Sequence, residues 1–194
     1  MLLKKKSTII SLVLALLLAA SCIYYFAIYN SVRDVYVSSD YVGYSTGNGL
    51  FNNAELVVIG SPTKDFEDRE VHLTELPKGF VADIATFTEI NVEKVLKGPE
   101  EVVKNLTVIE PIGVYQTFKG KKRIAYEGYT EMKKDSKYLI FLKKNSYGQY
   151  SVINMQAGKF NLDGTDPEDN SGEEAIIKKN IFTELTTNFA KELK

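Results

Sequence analysis

From Ser7 to Val32 the chain carries no charged residue, a run of 26 positions. An α-helix needs about 20 apolar residues to cross the hydrocarbon core of a bilayer. This run therefore demands a membrane, and it divides the sequence before any other feature is considered. Ile9 to Ala20 is dominated by Leu, Ile, Val and Ala, and Tyr24, Tyr25 and Tyr29 gather at the far end. Tyrosine rings suit the headgroup level of a bilayer. Lys4, Lys5 and Lys6 precede the run, whereas Arg33 and Asp34 behind it cancel. Basic flanks stay on the cytoplasmic side, so the N-terminus is expected inside and the rest of the chain outside, in a single pass.

A second reading of the same segment is a cleaved signal. "LAASC" resembles a bacterial lipobox, in which Cys22 would become the lipidated first residue. A mature lipoprotein continues with small polar residues, and this chain continues Ile-Tyr-Tyr-Phe-Ala-Ile-Tyr. The retained signal anchor is favoured, with lipidated Cys22 as the alternative. Both place the remainder outside the cell, attached to its membrane.

The expected divisions are residues 1–30 as the anchor, 31–50 as an extended stalk rich in Ser, Tyr and Gly, and 51–194 as one extracytoplasmic domain. All 25 acids lie beyond residue 30, against 21 of the 24 basic residues, so the outer part carries a net charge of −4. Nucleic acid is an unsuitable partner for such a surface. The lone cysteine is in the leader, so the outer domain has no disulfide, as expected of an exported bacterial protein.

Short apolar runs separated by turn residues give the outer part a β pattern. They are 54–60, 69–76, 81–98, 105–112, 137–144, 148–155 and 158–162, the last two read as a pair around Gly158. The long run must bend, and a bulge would let Val95 and Leu96 both find cover. At the C-terminus the period changes. Ser171 and Glu174 form a capping box, and Ile177, Ile181, Leu185 and Phe189 recur four apart, with Phe182 and Leu193 nearby. The expectation is a mainly β protein: an OB-like antiparallel β-barrel with a C-terminal amphipathic helix over 172–193, preceded by a transmembrane helix.

The pieces "AELVVIGSPT", "FTEINVEKVLKG" and "KYLIFLKKN…GQYSVINMQAGKF" resemble small exported lipoproteins and membrane proteins of Bacillus-like bacteria. Their order also resembles the netrin-like module of tissue metalloproteinase inhibitors. The resemblance covers about residues 54–162 and implies a five-stranded OB-type barrel with a terminal helix. The inhibitors' reactive cysteine and disulfides have no counterpart here, so no inhibitory residue carries over.

Catalytic signals are sparse. His72 is the sole histidine, and neither a nucleophile elbow nor a phosphate-binding loop is present. No cofactor is called for. Asp163, Asp166 and Asp169 supply hard oxygen ligands, but their spacing departs from a calcium loop. The segment 110–137 is long for a connection and mixes aromatic with basic residues. Tyr115, Phe118, Lys121, Lys122, Arg123, Tyr126 and Tyr129 are its candidate binding residues, suited to an anionic or peptide ligand. A plain β-hairpin with cross-strand aromatic pairs and a basic tip, Gly120-Lys121-Lys122, is the simpler reading of them. The sequence thus favours a membrane-anchored, non-enzymatic binding module of the cell envelope, its partner an envelope protein or an anionic wall polymer. An envelope hydrolase working through carboxylates, or a protease-inhibitor-like protein, is the alternative.

Overall fold

The structure is a computed structural model and describes residues 2–170 and 175–189. The capping box at 171–174 and Leu193 lie outside the described residues. The chain divides into two compact units, Met1–Val35 with Val114–Arg123, and Tyr36–Gly113 with Ile124–Lys194.

In the first unit, helix α1 (Leu2–Ile23) continues into a π-helical turn at Tyr24–Tyr29. Ile9–Tyr29 is long and apolar enough to cross a membrane, and none of it is buried. Cys22 is exposed within this unbroken helix. Strand β1 (Val32–Val37) comes next.

The stalk expectation fails at its end. Residues Gly47–Asn53 form helix α2, with Leu50 wholly buried. Thr46 caps it by accepting from the Gly49 N–H at 3.1 Å. Glu184 accepts from the N–H groups of Gly47 and Asn48 at 2.7 and 3.1 Å. Small residues that read as flexible in isolation are helical here because another part of the chain satisfies their backbone donors.

The chain then forms strands β2 (Leu56–Pro62), β3 (Glu70–Leu76), β4 (Phe80–Lys97) and β5 (Leu106–Glu110). After Pro111 come β6 (Ile112–Thr117) and β7 (Gly120–Tyr126), a hairpin forming a three-stranded sheet in the order β1-β7-β6. Strands β8 (Tyr138–Lys144), β9 (Tyr150–Val152) and β10 (Lys159–Asn161) precede helix α3 (Ala175–Asn188).

Five of these strands close a barrel in the order β8-β2-β4-β5-β9 and back to β8. Four seams are antiparallel, and β5–β9 is parallel, which corrects the expectation of an antiparallel barrel. The reason is parity: five strands in a ring cannot alternate direction all the way round. The expected pairing around Gly158 is also absent. Strand β10 pairs with β8, as does β9, along successive parts of one edge. A Cβ at Gly158 would collide with the carbonyl of Ile153, so this glycine serves close packing rather than a hairpin turn.

Alternation explains the continuous apolar runs. Leu56 and Val58 of β2, with Tyr138, Ile140 and Leu142 of β8, fill the barrel. Val57, Ile59, Leu139 and Phe141 point the other way, onto Leu50, Ile181 and Leu185 of the helices. Strands covered on both faces lose the polar alternation of a half-exposed sheet. The bend in β4 is a pair of register shifts against β2. Between them Val95 packs on the barrel core and Leu96 on the helix side, as a bulge permits.

Helix α3 buries Lys178, Ile181 and Leu185, and Ile177 is 46 % exposed. The apolar stripe is thus shifted by one residue at its start. Lys178 takes the inward position because Asp169 receives its ammonium there at 2.7 Å.

Candidate functional site

The segment 110–137 separates into three environments. Tyr115, Phe118, Lys121, Lys122 and Arg123 belong to the first unit, on the β6–β7 hairpin. Its turn is Phe118-Lys119, so Lys121 and Lys122 lie on the strand behind the tip. Phe118 is 88 % exposed. The Lys122 ammonium stands 5.8 Å from the Tyr115 ring centroid, a cation–π placement. Arg123 faces Asp34 at 3.6 Å.

Tyr126 and Tyr129 belong to the second unit. The Tyr126 hydroxyl donates to Asp83 at 3.0 Å; burial, and then the Asp83 carboxylate, raise its pKa. Tyr129 is buried, and its hydroxyl donates to Glu110 Oε2 at 3.0 Å. Its pKa is raised, first by burial and then by the Glu110 charge. Tyr129 is therefore a core residue and offers no surface to a ligand.

The three aspartates proposed for calcium do not converge; among the described residues no group of three or more metal-binding side chains occurs. Asp163 accepts from the Lys137 N–H at 2.8 Å and from Asn161 and Thr165. Burial opposes these hydrogen bonds, which prevail and hold its pKa down to about 2. Asp166 is buried and accepts from the Tyr138 hydroxyl at 2.7 Å. Asp169 is buried between two lysines, Lys159 at 2.6 Å and Lys178 at 2.7 Å.

Two buried ionic clusters thus occupy the second unit. In one, Arg69 donates to Glu110 at 2.8 Å, to Met132 O at 2.7 Å, and to Lys64 O at 2.9 and 3.1 Å. Glu110 also accepts from Thr88, Tyr129 and the Met132 N–H. In the other, Asp169 holds Lys159 and Lys178, and Lys159 lies 5.3 Å from the rings of both Tyr129 and Tyr138. Sequence reading missed both clusters. They join residues as far apart as 69 and 110, or 159 and 178, and local pattern carries no trace of such pairs.

The open surface of the barrel has the features a ligand could use. A groove of about 740 Å³ runs along β2, β4 and β5, lined among others by Thr63, Glu89, Asn91, Lys104, Thr107 and Asp135. Glu89 is exposed, and Lys64 at 2.7 Å lowers its pKa through a hydrogen bond and through charge. A second depression of about 330 Å³ shares Leu106 and Thr107 with it and extends over Phe87, Lys144, Gln149 and Tyr150. The Lys144 ammonium covers the Tyr150 ring at 5.2 Å. Tyr147 is 87 % exposed in the β8–β9 turn. Hydroxyls, amides and charges of both signs line this surface.

His72 is exposed on β3 and lies edge-on to Phe87 at 6.3 Å. Compared with protein-family models and with curated proteins, the chain matches none.

Proposed function

We propose that this protein is a membrane-anchored, extracytoplasmic binding module of the bacterial cell envelope that acts without catalysis. Its barrel is read as the OB type. Counted in chain order, β2, β4, β5, β8 and β9 are the first to fifth strands, and around the barrel they run first, second, third, fifth, fourth, with the third (β5) and fifth (β9) parallel. Ile9–Tyr29 is read as an uncleaved signal anchor, with Lys4–Lys6 inside. The chemistry of the groove favours a wall glycan as ligand. OB barrels take oligosaccharides on the face of their second and third strands, here β4 and β5, an argument by analogy of fold.

One observation carries the reading: the buried ionisable groups bond to one another inside the fold, and the groups left along β4–β5 are exposed hydrogen-bonding side chains. Such a surface binds by many weak polar contacts. Full-length protein in nanodiscs, titrated with soluble wall glycan fragments, tests it. Thr107→Arg, placed where the two depressions meet, is expected to weaken binding about tenfold, or about 1.4 kcal/mol, with the thermal transition unchanged. Unchanged affinity in that variant would move the site elsewhere. A measurable turnover abolished by Glu89→Gln would replace the binding module with an enzyme.

A further inference from the structure

The tip of the β6–β7 hairpin is built onto the end of the apolar helix. The Tyr24 hydroxyl donates to Phe118 O at 2.9 Å. Gln116 Nε2 donates to Tyr29 O at 3.0 Å, and the Lys121 N–H donates to Ser31 O at 2.7 Å. Gly120 sits at this seam with φ of 105°, and a Cβ there would collide with Ser31 and with the carbonyl of Ile28. Only glycine allows both that dihedral and that approach.

These contacts fix a depth. Tyr24 lies within the span Ile9–Tyr29, about one turn before its end. A peptide group bonded to its hydroxyl shares its level in the bilayer. At that level Phe118 presents an 88 % exposed ring. Lys119 is exposed beside it, and Lys121 and Lys122 are half-buried on the strand behind. Arg123 is taken up by Asp34 at 3.6 Å, which leaves three lysines as the cations of the tip.

We propose that this tip is a second membrane contact. Phe118 enters the interfacial layer beside Tyr24, Tyr25 and Tyr29, and Lys119, Lys121 and Lys122 bind anionic phospholipid headgroups of the same leaflet. An aromatic ring that would be fully wetted in water is half-buried at the headgroup level. Lysine stems lie along apolar surface while their ammonium groups reach the phosphates. Attraction to an anionic leaflet acts within about 10 Å, the Debye length at 0.1 M salt, and the tip falls inside that distance. A wall polymer would satisfy the lysines and leave Phe118 in water, so a lipid surface accounts for more of the tip. The inference rests on reading Ile9–Tyr29 as bilayer-spanning.

The chain contains no tryptophan, so one introduced residue is an unambiguous reporter. Full-length variants are reconstituted into phosphatidylcholine vesicles with or without phosphatidylglycerol, carrying bromine at shallow or deep acyl positions. Leu14→Trp reports the span, Phe118→Trp the tip, and Tyr147→Trp a water-exposed turn. Phe118→Trp is expected to emit further to the blue than Tyr147→Trp. It is expected to be quenched by shallow bromine, more strongly with phosphatidylglycerol. Adding Lys119→Glu, Lys121→Glu and Lys122→Glu to it should reduce that quenching several-fold. Leu14→Trp quenched by deep bromine while Phe118→Trp resembles Tyr147→Trp would overturn the tip contact and leave the span standing. Leu14→Trp without quenching would overturn the span itself, and the tip contact with it. Shielding of Phe118→Trp by soluble anionic wall polymer, and not by lipid, would assign the tip to that polymer instead.

Discussion

The two buried ionic clusters of the barrel unit differ in their charge balance. Arg69 and Glu110 form a one-to-one pair whose remaining donors and acceptors meet hydroxyls and backbone groups. Asp169 is a single acid between two ammonium groups. Burying charge is costly unless it is paired and hydrogen-bonded. The first cluster meets that condition. The second cannot, and it sheds the excess positive charge through proton loss at Lys178. Burial, and then repulsion from Lys159, hold the pKa of Lys178 down to about 7 against the pull of Asp169. Asp169 has its own pKa lowered, the attraction of Lys159 and Lys178 outweighing burial. A balanced pair is a fixed tie, whereas an unbalanced triad is a tie whose strength depends on pH.

The largest effect expected is on the balanced pair. Arg69→Met leaves Glu110 buried without its cation and should cost about 3–5 kcal/mol in urea unfolding of the full chain in detergent. Replacing Glu110 by Leu in the same chain should recover much of that loss. Failure to recover would mean that the hydrogen bonds of Glu110, rather than its charge, carry the site.

Next comes the pH dependence of the triad. A lysine proton is held up to about pH 10.5 in the unfolded chain and only to about 7 at folded Lys178. Between those values the unfolded state binds the extra proton, so stability rises with pH across that window and is flat from this group below it. Above about pH 10 the sign reverses, because burial raises the pKa of Tyr129 and Tyr138 above the ordinary tyrosine value. Unfolding free energy should therefore peak on the alkaline side of neutrality, and Lys178→Met should flatten the rising limb. A rising limb unchanged in that variant would remove the contrast between the clusters. The smallest effect is at α2, where Thr46→Ala should cost about 1 kcal/mol through loss of the cap to Gly49.

Legibility tracked the range of the interactions. The strands around Val57, Ile90 and Ile140 were readable because alternation and apolar runs are local consequences of the pleat. The bulge that serves both Val95 and Leu96 was readable for the same reason. Helix α2 was hidden, since its donors are satisfied by Glu184 from the far end of the chain. Tyr129 and Phe118 looked alike as aromatic residues in one connection, and one became core and the other surface. The barrel groove was invisible, because it combines side chains from three strands and three connecting segments.

The sequence by itself determined the apolar span, the β character of the chain beyond it and the amphipathic helix near the end. Each of these is fixed by side chains a few positions apart. Tertiary structure alone decided the parallel seam, the inward turn of Lys178 and the seating of the hairpin tip against Tyr24. Those features depend on which distant groups meet, and a charge or a peptide bond settles where a partner tens of residues away can satisfy it.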